Sequence, residues 1–269
     1  MATKPKINSK AKGKVKTGKN ASSALASKPK GKKPEAVKRK KPRLSLKQFA
    51  IRFVAAFVVL IFLVPAFLLF LYRFEFLHPV STLMVKESLI GHGAKREWIA
   101  IDDMAPVLYQ SVLSSEDGKF CSHSGVDWEA LNKVIEDAID GEKTRGASTI
   151  TMQLVKNLFL WPNRSFIRKG LEVPYAMMAE LILPKKRIME IYLNIAEWDK
   201  GIFGVELAAQ KYFNRSAAKL GPRYSSLLAV TLPNPKQRNA AKPTRSMDRV
   251  ARIVQRRAKA SGAYVQCLK

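Results

Sequence analysis

The chain is short of acid: 21 Asp and Glu stand against 48 Lys and Arg in 269 residues, a formal net charge of +27. The shortage is worst at the N-terminus, where the first 52 residues hold 18 Lys or Arg, the single acid Glu35 and almost no large apolar side chain. Such a segment buries too little apolar surface to offset the entropy of ordering it. Residues 1–45 are therefore expected to form a disordered polybasic tail, suited to anionic lipid, to nucleic acid or to no partner at all. No aromatic residue interleaves these cations, which removes the stacking surface a nucleic-acid binder uses. Cysteine is also scarce. Cys121 and Cys267 alone exclude a disulfide scaffold, and leave open one bond or two free thiols. No D-x-D and no His/Cys cluster supplies a dedicated metal site. A lone S-x-x-K at Ser216–Lys219 has no K-T-G after it and too little chain behind it for a transpeptidase domain.

Charge disappears altogether between Phe53 and Tyr72, a run of twenty residues broken only by Pro65. At about 1.5 Å per residue it spans the roughly 30 Å hydrocarbon core of a bilayer, and it lacks the polar stripe of a soluble core helix. Proline is tolerated in such a helix as a kink. No small-x-small cleavage site precedes Arg73, so the segment (46–73 with its flanks) is expected to stay as an anchor rather than leave as a signal peptide. With the basic excess on its N-terminal side, the tail belongs in the cytoplasm and residues 74–269 across the membrane.

Those outer residues, about one domain in size, place apolar side chains at three- and four-residue intervals over 104–116, 126–139, 148–160, 167–183 and 185–196, with further helices over 202–213, 223–231 and 246–260. Asp127 and Ser148 resemble N-terminal caps, and Gly141 and Gly146 interrupt the pattern. Only 81–90 and 97–101 look strand-like, so the domain reads as mainly α.

Four stretches concentrate chemistry. Ser115–Gly125 packs Glu116, Asp117, Phe120 and His123 before a turn glycine, an arrangement able to hold a carboxylate as a general base or simply to cap a helix. Arg145–Gln153, with Lys156 and Asn157 one turn on, is a hydroxyl-rich turn opening a helix, suited to a phosphate or sugar. Arg164, Arg168, Lys169 and Glu172 form either a surface ion-pair cluster or a group that binds a pyrophosphate as it leaves. Lys185–Asn194 carries the apolar stripe Ile188, Ile191, Tyr192 and Ile195 and reads first as core.

In this order the four stretches resemble the peptidoglycan glycosyltransferase family, in particular its monofunctional biosynthetic transglycosylases of Gram-negative bacteria. E-D-x-x-F-x-x-H-x-G is matched by Glu116, Asp117, Phe120, His123 and Gly125, and G-x-S-T-x-T-x-Q by Gly146, Ser148, Thr149, Thr151 and Gln153. R-K-x-x-E is matched by Arg168, Lys169 and Glu172, and K-x-x-I-x-x-x-Y-L-N by Lys185, Ile188, Tyr192, Leu193 and Asn194. The likeness covers roughly residues 80–240. Two positions depart from it: Ala147 stands where many members have glycine, and Met152 where many have glutamine.

The resemblance implies a lysozyme-like helical glycosyltransferase domain behind a single N-terminal transmembrane helix, polymerising lipid II into linear glycan strands without transpeptidase activity. It implies Glu116 as general base and Glu172 as a second carboxylate orienting a pyrophosphate clamp of Lys156, Arg164, Arg168 and Lys169. Asp117, Phe120, His123, Ser148, Thr149 and Gln153 would line the substrate cleft, with packing an equal role for His123. No cofactor is tightly bound under this reading; Mg²⁺ or Mn²⁺, where used, rides on the substrate pyrophosphate. The implied partners are lipid II, the nascent strand, membrane lipid, and proteins of cell-wall synthesis or division, at the bacterial inner membrane. A glycan-cleaving enzyme is the rival. It needs an acid to protonate a poor leaving group and has no use for a cation clamp. Leu158–Trp161 has the bulk of a membrane-interface segment and reads equally as core.

Overall fold

The computed structural model describes residues 45–91, 93–142, 146–163, 165–262 and 264–269. All of the expected disordered tail except Ser45, together with Arg145 and Arg164, falls outside them. Ten helices are described: α1 (Leu46–Tyr72), α2 (Thr82–Leu89), α3 (Pro106–Glu116), α4 (Trp128–Ile139), α5 (Ile150–Phe159), α6 (Phe166–Ile182), α7 (Lys185–Ile195), α8 (Val205–Phe213), α9 (Pro222–Thr231) and α10 (Arg245–Lys259). A small sheet in the order β1-β3-β2 is built from β1 (Lys95–Arg96), β2 (Glu197–Asp199) and β3 (Ile202–Phe203), with β1 parallel and β2 antiparallel to β3. The mainly α expectation holds.

The core is organised around α7. Ile188, Met189, Ile191, Leu193 and Ile195 are each no more than 1% exposed, so this helix is enclosed by α5, α6 and α8 rather than presenting one face. Asn194 at its end is fully buried and satisfied. Its side-chain oxygen accepts from Ile99 N at 2.9 Å, while its amide donates to Ile99 O at 2.9 Å and to Glu190 O at 2.8 Å. The Y-L-N triplet thus bolts the 95–100 segment to the core.

Four sequence expectations are corrected. Residues 81–90 form helix α2, because Ser81 accepts from Met84 N and commits the next turn, with Met84 and Glu87 buried at three-residue spacing. No strand covers 97–101; the strand lies at 95–96, and 101–103 is a 3₁₀ turn. The 202–213 helix starts only at Val205, since Ile202 and Phe203 pair in β3 and Gly204 has φ +81°. The cap of α5 is Thr149, not Ser148: the Thr149 hydroxyl accepts from Met152 N at 3.1 Å. Asp127 does cap α4, accepting from Ala130 N. Ser216 of the S-x-x-K caps a 3₁₀ turn and donates to Glu206 at 3.1 Å.

Helix α1 is long and apolar enough to cross a membrane, and most of its side chains are exposed. Its C-terminal half packs on α6. Pro65 has no N–H, so the Ile61 carbonyl one turn earlier loses its helical donor. Tyr175 on α6 supplies the replacement, donating its hydroxyl to Ile61 O at 2.9 Å with its ring edge-on to Phe62 and Phe159. Arg187 then closes the helix end, donating to Tyr72 O, Phe74 O and Leu77 O. Tyr175→Phe should cost about 1–3 kcal/mol, as for an orphaned buried acceptor, and much less in a Pro65→Ala background, where residue 65 regains its N–H. Equal losses in both backgrounds, measured by thermal unfolding in detergent, would show that the hydroxyl does not fill the proline gap.

Candidate active site

Helix α3 ends on Glu116, whose carboxylate meets Gln153 of α5. Oε1 accepts from Ser115 Oγ at 3.2 Å and Oε2 from Gln153 Nε2 at 3.2 Å. Gln153 is held in turn by the Tyr192 hydroxyl, which donates to its Oε1 at 3.0 Å from a fully buried position on α7. Burial pushes the Glu116 carboxyl above the ordinary carboxylate value; Gln153, Ser115, Arg238 and Lys156 pull the other way and do not cancel it. Asp117, next in sequence, has a different environment. Its two oxygens lie 3.0 Å from His123 Nε2, and Oδ2 also accepts from Ile150 N, the first N–H of α5. Gly125 N donates to His123 Nδ1 at 3.2 Å, so the ring proton sits on Nε2 and is given to Asp117.

The turn after α3 is locked from below. Phe120 is 1% exposed, and the Lys185 ammonium sits 4.4 Å above its ring. Lys185 also donates to His123 O at 2.7 Å and pairs with Glu180 at 2.8 Å, which accepts from Thr151 at 2.6 Å. Thr149 donates to Gly125 O at 2.6 Å. Gly125, at φ +90°, lies so close to α6 that a Cβ there would meet Ala176 O at 2.7 Å. Asp117, Phe120, His123 and Thr149 therefore hold this turn through contacts within it and to α5, while Glu116 is bonded to Gln153, which lines the cavity described next. Cys121 and Cys267 form a disulfide, tying the same turn to the C-terminus.

A cation cluster is built on the first turns of α6. Ser165 caps that helix, accepting from Arg168 N at 3.1 Å. Glu172, 2% exposed, pairs with Arg168 through Oε1 and with Lys169 through Oε2 at 2.8 Å. Lys169 reaches Ser148 Oγ at 2.8 Å, which is what occupies that serine in place of a cap. Lys156 on α5 interacts with both Glu172 and Glu116, and makes no hydrogen bond or ion pair among the described residues. Its ammonium is pushed below the usual lysine value, first by burial and then by Arg168 and Lys169. These groups, Ser148, Gln153, Lys156, Arg168, Lys169 and Glu172, line a cavity of about 540 Å³ together with the N-terminus of α6. Exposed N–H groups and gathered cations at a helix N-terminus suit an anion with several oxygens. Among the described residues no three His, Cys, Asp or Glu side chains gather to hold a metal.

Two contributors escape a reading of the sequence. Tyr192 looks like core and is core, yet it also orients Gln153; only a polar hydroxyl in an otherwise apolar stripe hints at it. Arg238, whose charge reaches Glu116, follows the Pro233–Pro235 loop, and nothing in its local sequence marks it. Of the Leu158–Trp161 stretch, Leu158 and Leu160 are core. Trp161 is exposed, as are Phe166, Ile167, Met177 and Leu181 on α6.

A family model described as Transglycosylase matches residues 83–259. A protein of Brucella suis biovar 1 (strain 1330) named biosynthetic peptidoglycan transglycosylase is 60% identical over 212 residues, covering 79% of this chain and 95% of that one. Proteins of the same name from Rhizobium meliloti (strain 1021) and Agrobacterium fabrum (strain C58 / ATCC 33970) are 55% identical over 213 residues and 50% identical over 225. The first covers 79% of this chain and 90% of its own length, the second 84% and 99%. Four ordered motifs, a helical domain that gathers their polar groups at one cleft, and a match across most of its length agree: the chain belongs to the transglycosylase family and is a peptidoglycan glycosyltransferase.

Proposed function

We propose that this chain polymerises lipid II, transferring the growing glycan from undecaprenyl pyrophosphate to the GlcNAc 4-hydroxyl of an acceptor, with no transpeptidase activity. The observation that carries the reading is Glu116: a carboxylate with a raised pKa, held by Gln153 and Ser115 and sharing its surroundings with Lys156, whose ammonium is unpaired among the described residues. Glu116 takes the acceptor hydroxyl proton as that oxygen attacks the donor anomeric carbon. The bond from that carbon to the pyrophosphate oxygen breaks, and the α-linked donor becomes a β-1,4 link. The leaving pyrophosphate needs its charge neutralised more than it needs a proton, and Lys156, Arg168 and Lys169 supply that; Arg164, expected in the same clamp, lies outside the described residues. Glu172 orients Arg168 and Lys169. Asp117, Phe120, His123 and Thr149 hold the Glu116 turn, and Ser148 and Gln153 touch substrate.

The cluster is cationic and its one carboxylate has both oxygens engaged, so it suits an anion and not a bare divalent ion; Mg²⁺ or Mn²⁺ would arrive on the pyrophosphate. The basic excess before α1 supports a cytoplasmic N-terminus and a periplasmic domain in the inner membrane. The Cys121–Cys267 bond, of a kind that persists in oxidising compartments, supports the same orientation.

Full-length protein with labelled lipid II should yield polymer, and with finished peptidoglycan no cleavage. Because burial lowers the Lys156 pKa, its charge is lost at a pH where an ordinary lysine keeps it. Polymerisation should therefore fall on the alkaline side as pH rises through that value, and Lys156→Arg should remove this limb. Persistence of the limb in the variant would assign it to another group.

A further inference from the structure

The few acids of this basic chain are unevenly spread, and so are its cations. Asp127–Glu142, which contains α4, holds six of the 21 acids against one lysine; α10 is its mirror, with six Lys or Arg against the single acid Asp248. Helix α10 buries Met247, Ala251, Val254 and Ala258 on the side that packs on α3 and α9. Its other side is open. Arg249, Arg252, Arg256 and Lys259 follow one another there at three- and four-residue intervals, and with the half-buried Val107 and Ile253 they line a groove of about 870 Å³. Arg252 pairs with Asp248, while the side chains of Arg249, Arg256 and Lys259 make no hydrogen bond or ion pair among the described residues. Like charges at this spacing repel, so the row is costly to α10 unless an acidic surface meets it.

Helix α4 has the complementary build. None of its residues is buried, and Trp128, Ile135 and Ile139 are each at least 50% exposed. With Leu131 they fall at helical spacing into one apolar stripe, and Glu129, Glu136 and Asp140 run along its flank. Glu136 and Asp140 stand at the C-terminal end, where the dipole of the helix disfavours an acid, so this charge does not serve α4 itself. Nor does it suit an anionic lipid surface, which calls for Lys or Arg beside the apolar stripe.

We infer that the α10 groove docks a second copy of this chain, seating that copy's α4 with its acids against Arg249, Arg252 and Arg256 and its apolar stripe over Val107 and Ile253. The two rows match in length: at 1.5 Å per residue, Glu129 to Asp140 spans about 16 Å and Arg249 to Lys259 about 15 Å. An amphipathic helix in a groove, with opposite charges fixing register and partner, is a recurrent mode of recognition. The contact is small, and anchoring of both copies in one bilayer raises the effective concentration at which it forms. None of these residues belongs to the clamp or to the bonds that hold the Glu116 turn, so the inference stands apart from the chemistry proposed above.

Donor- and acceptor-labelled copies of the full chain, placed together in phosphatidylcholine vesicles, should show energy transfer above that of random mixing. The excess should fall at least about threefold as salt rises from about 0.05 to about 0.5 M. Neutralising the groove (Arg249→Gln, Arg252→Gln and Arg256→Gln together) should abolish the excess, as should neutralising α4 (Glu129→Gln, Glu136→Gln and Asp140→Asn together), with melting temperatures unchanged. A mixture of the two variants keeps one intact groove facing one intact α4 and should recover transfer that neither variant shows with itself. Transfer no greater than random mixing in the wild type, or an excess that survives either set of substitutions at an unchanged melting temperature, would overturn the inference. So would failure of the mixed variants to recover, or transfer that appears only when anionic lipid is added, which would give the groove to headgroups instead.

Discussion

Glu116→Gln should polymerise lipid II at least about 10²-fold more slowly than wild type, the loss expected when a general base is removed. Gln keeps the shape and can still accept from Gln153 and Ser115, so the loss would report proton transfer rather than collapse of the site. Stability should move the other way. Because burial raises the folded pKa of Glu116, its ionisation opposes folding: the cost sets in as pH rises through the unfolded value and is complete above the folded one. At pH 7 the variant should therefore melt at or above the wild-type temperature. The same raised pKa places the acidic limb of the wild-type rate profile above that of an ordinary carboxylate, with activity rising as Glu116 ionises. A variant with wild-type turnover on labelled lipid II would remove Glu116 from the role of base.

Gly125→Ala should disrupt the Glu116 turn where it has least room. A residue with a side chain is strained at φ +90°, by about 1–3 kcal/mol. The added methyl would also lie 2.7 Å from a backbone oxygen of α6 and 3.0 Å from Glu180 Cγ, an overpacking worth a further 1–3 kcal/mol or so. For a domain of this size the sum corresponds to a melting temperature lower by on the order of 10 °C. Gly118, earlier in the same motif, has an ordinary φ, and a methyl added there would meet no atom within 4 Å. Gly118→Ala should therefore stay within about 0.5 kcal/mol of wild type. Equal melting temperatures for the two variants would contradict the close approach of the turn to α6.

That pair of glycines shows where sequence reading stops. Two glycines following the same carboxylate look alike in one dimension, and only the passage of α6 beside one of them makes it irreplaceable. The helices α3 to α7 are legible because each repeats its apolar residues at helical spacing, and α1 because twenty uncharged residues leave little choice. Residues 81–90 mislead because their alternation resembles a strand, while the serine that decides the matter acts through one hydrogen bond. Within the site, residue types are legible and directions are not. Asp117 and Glu116 are chain neighbours, yet Asp117 bonds to His123 and the first N–H of α5 while Glu116 bonds to the Gln153 side chain.

The Tyr175–Ile61 hydrogen bond joins two reference frames. Ile61 and Tyr72 are separated by about 16 Å along α1, roughly half the depth of a bilayer's hydrocarbon. An anchor gripped that far along its length cannot tilt or slide independently of α6, and α6 carries Arg168, Lys169 and Glu172. A bilayer thicker or thinner than the apolar run imposes a mismatch that a loosely tethered helix relieves by tilting. Here the same tilt is passed to α6, so the acyl-chain length of the surrounding lipid becomes a variable that sets how high Arg168 and Lys169 stand above the membrane.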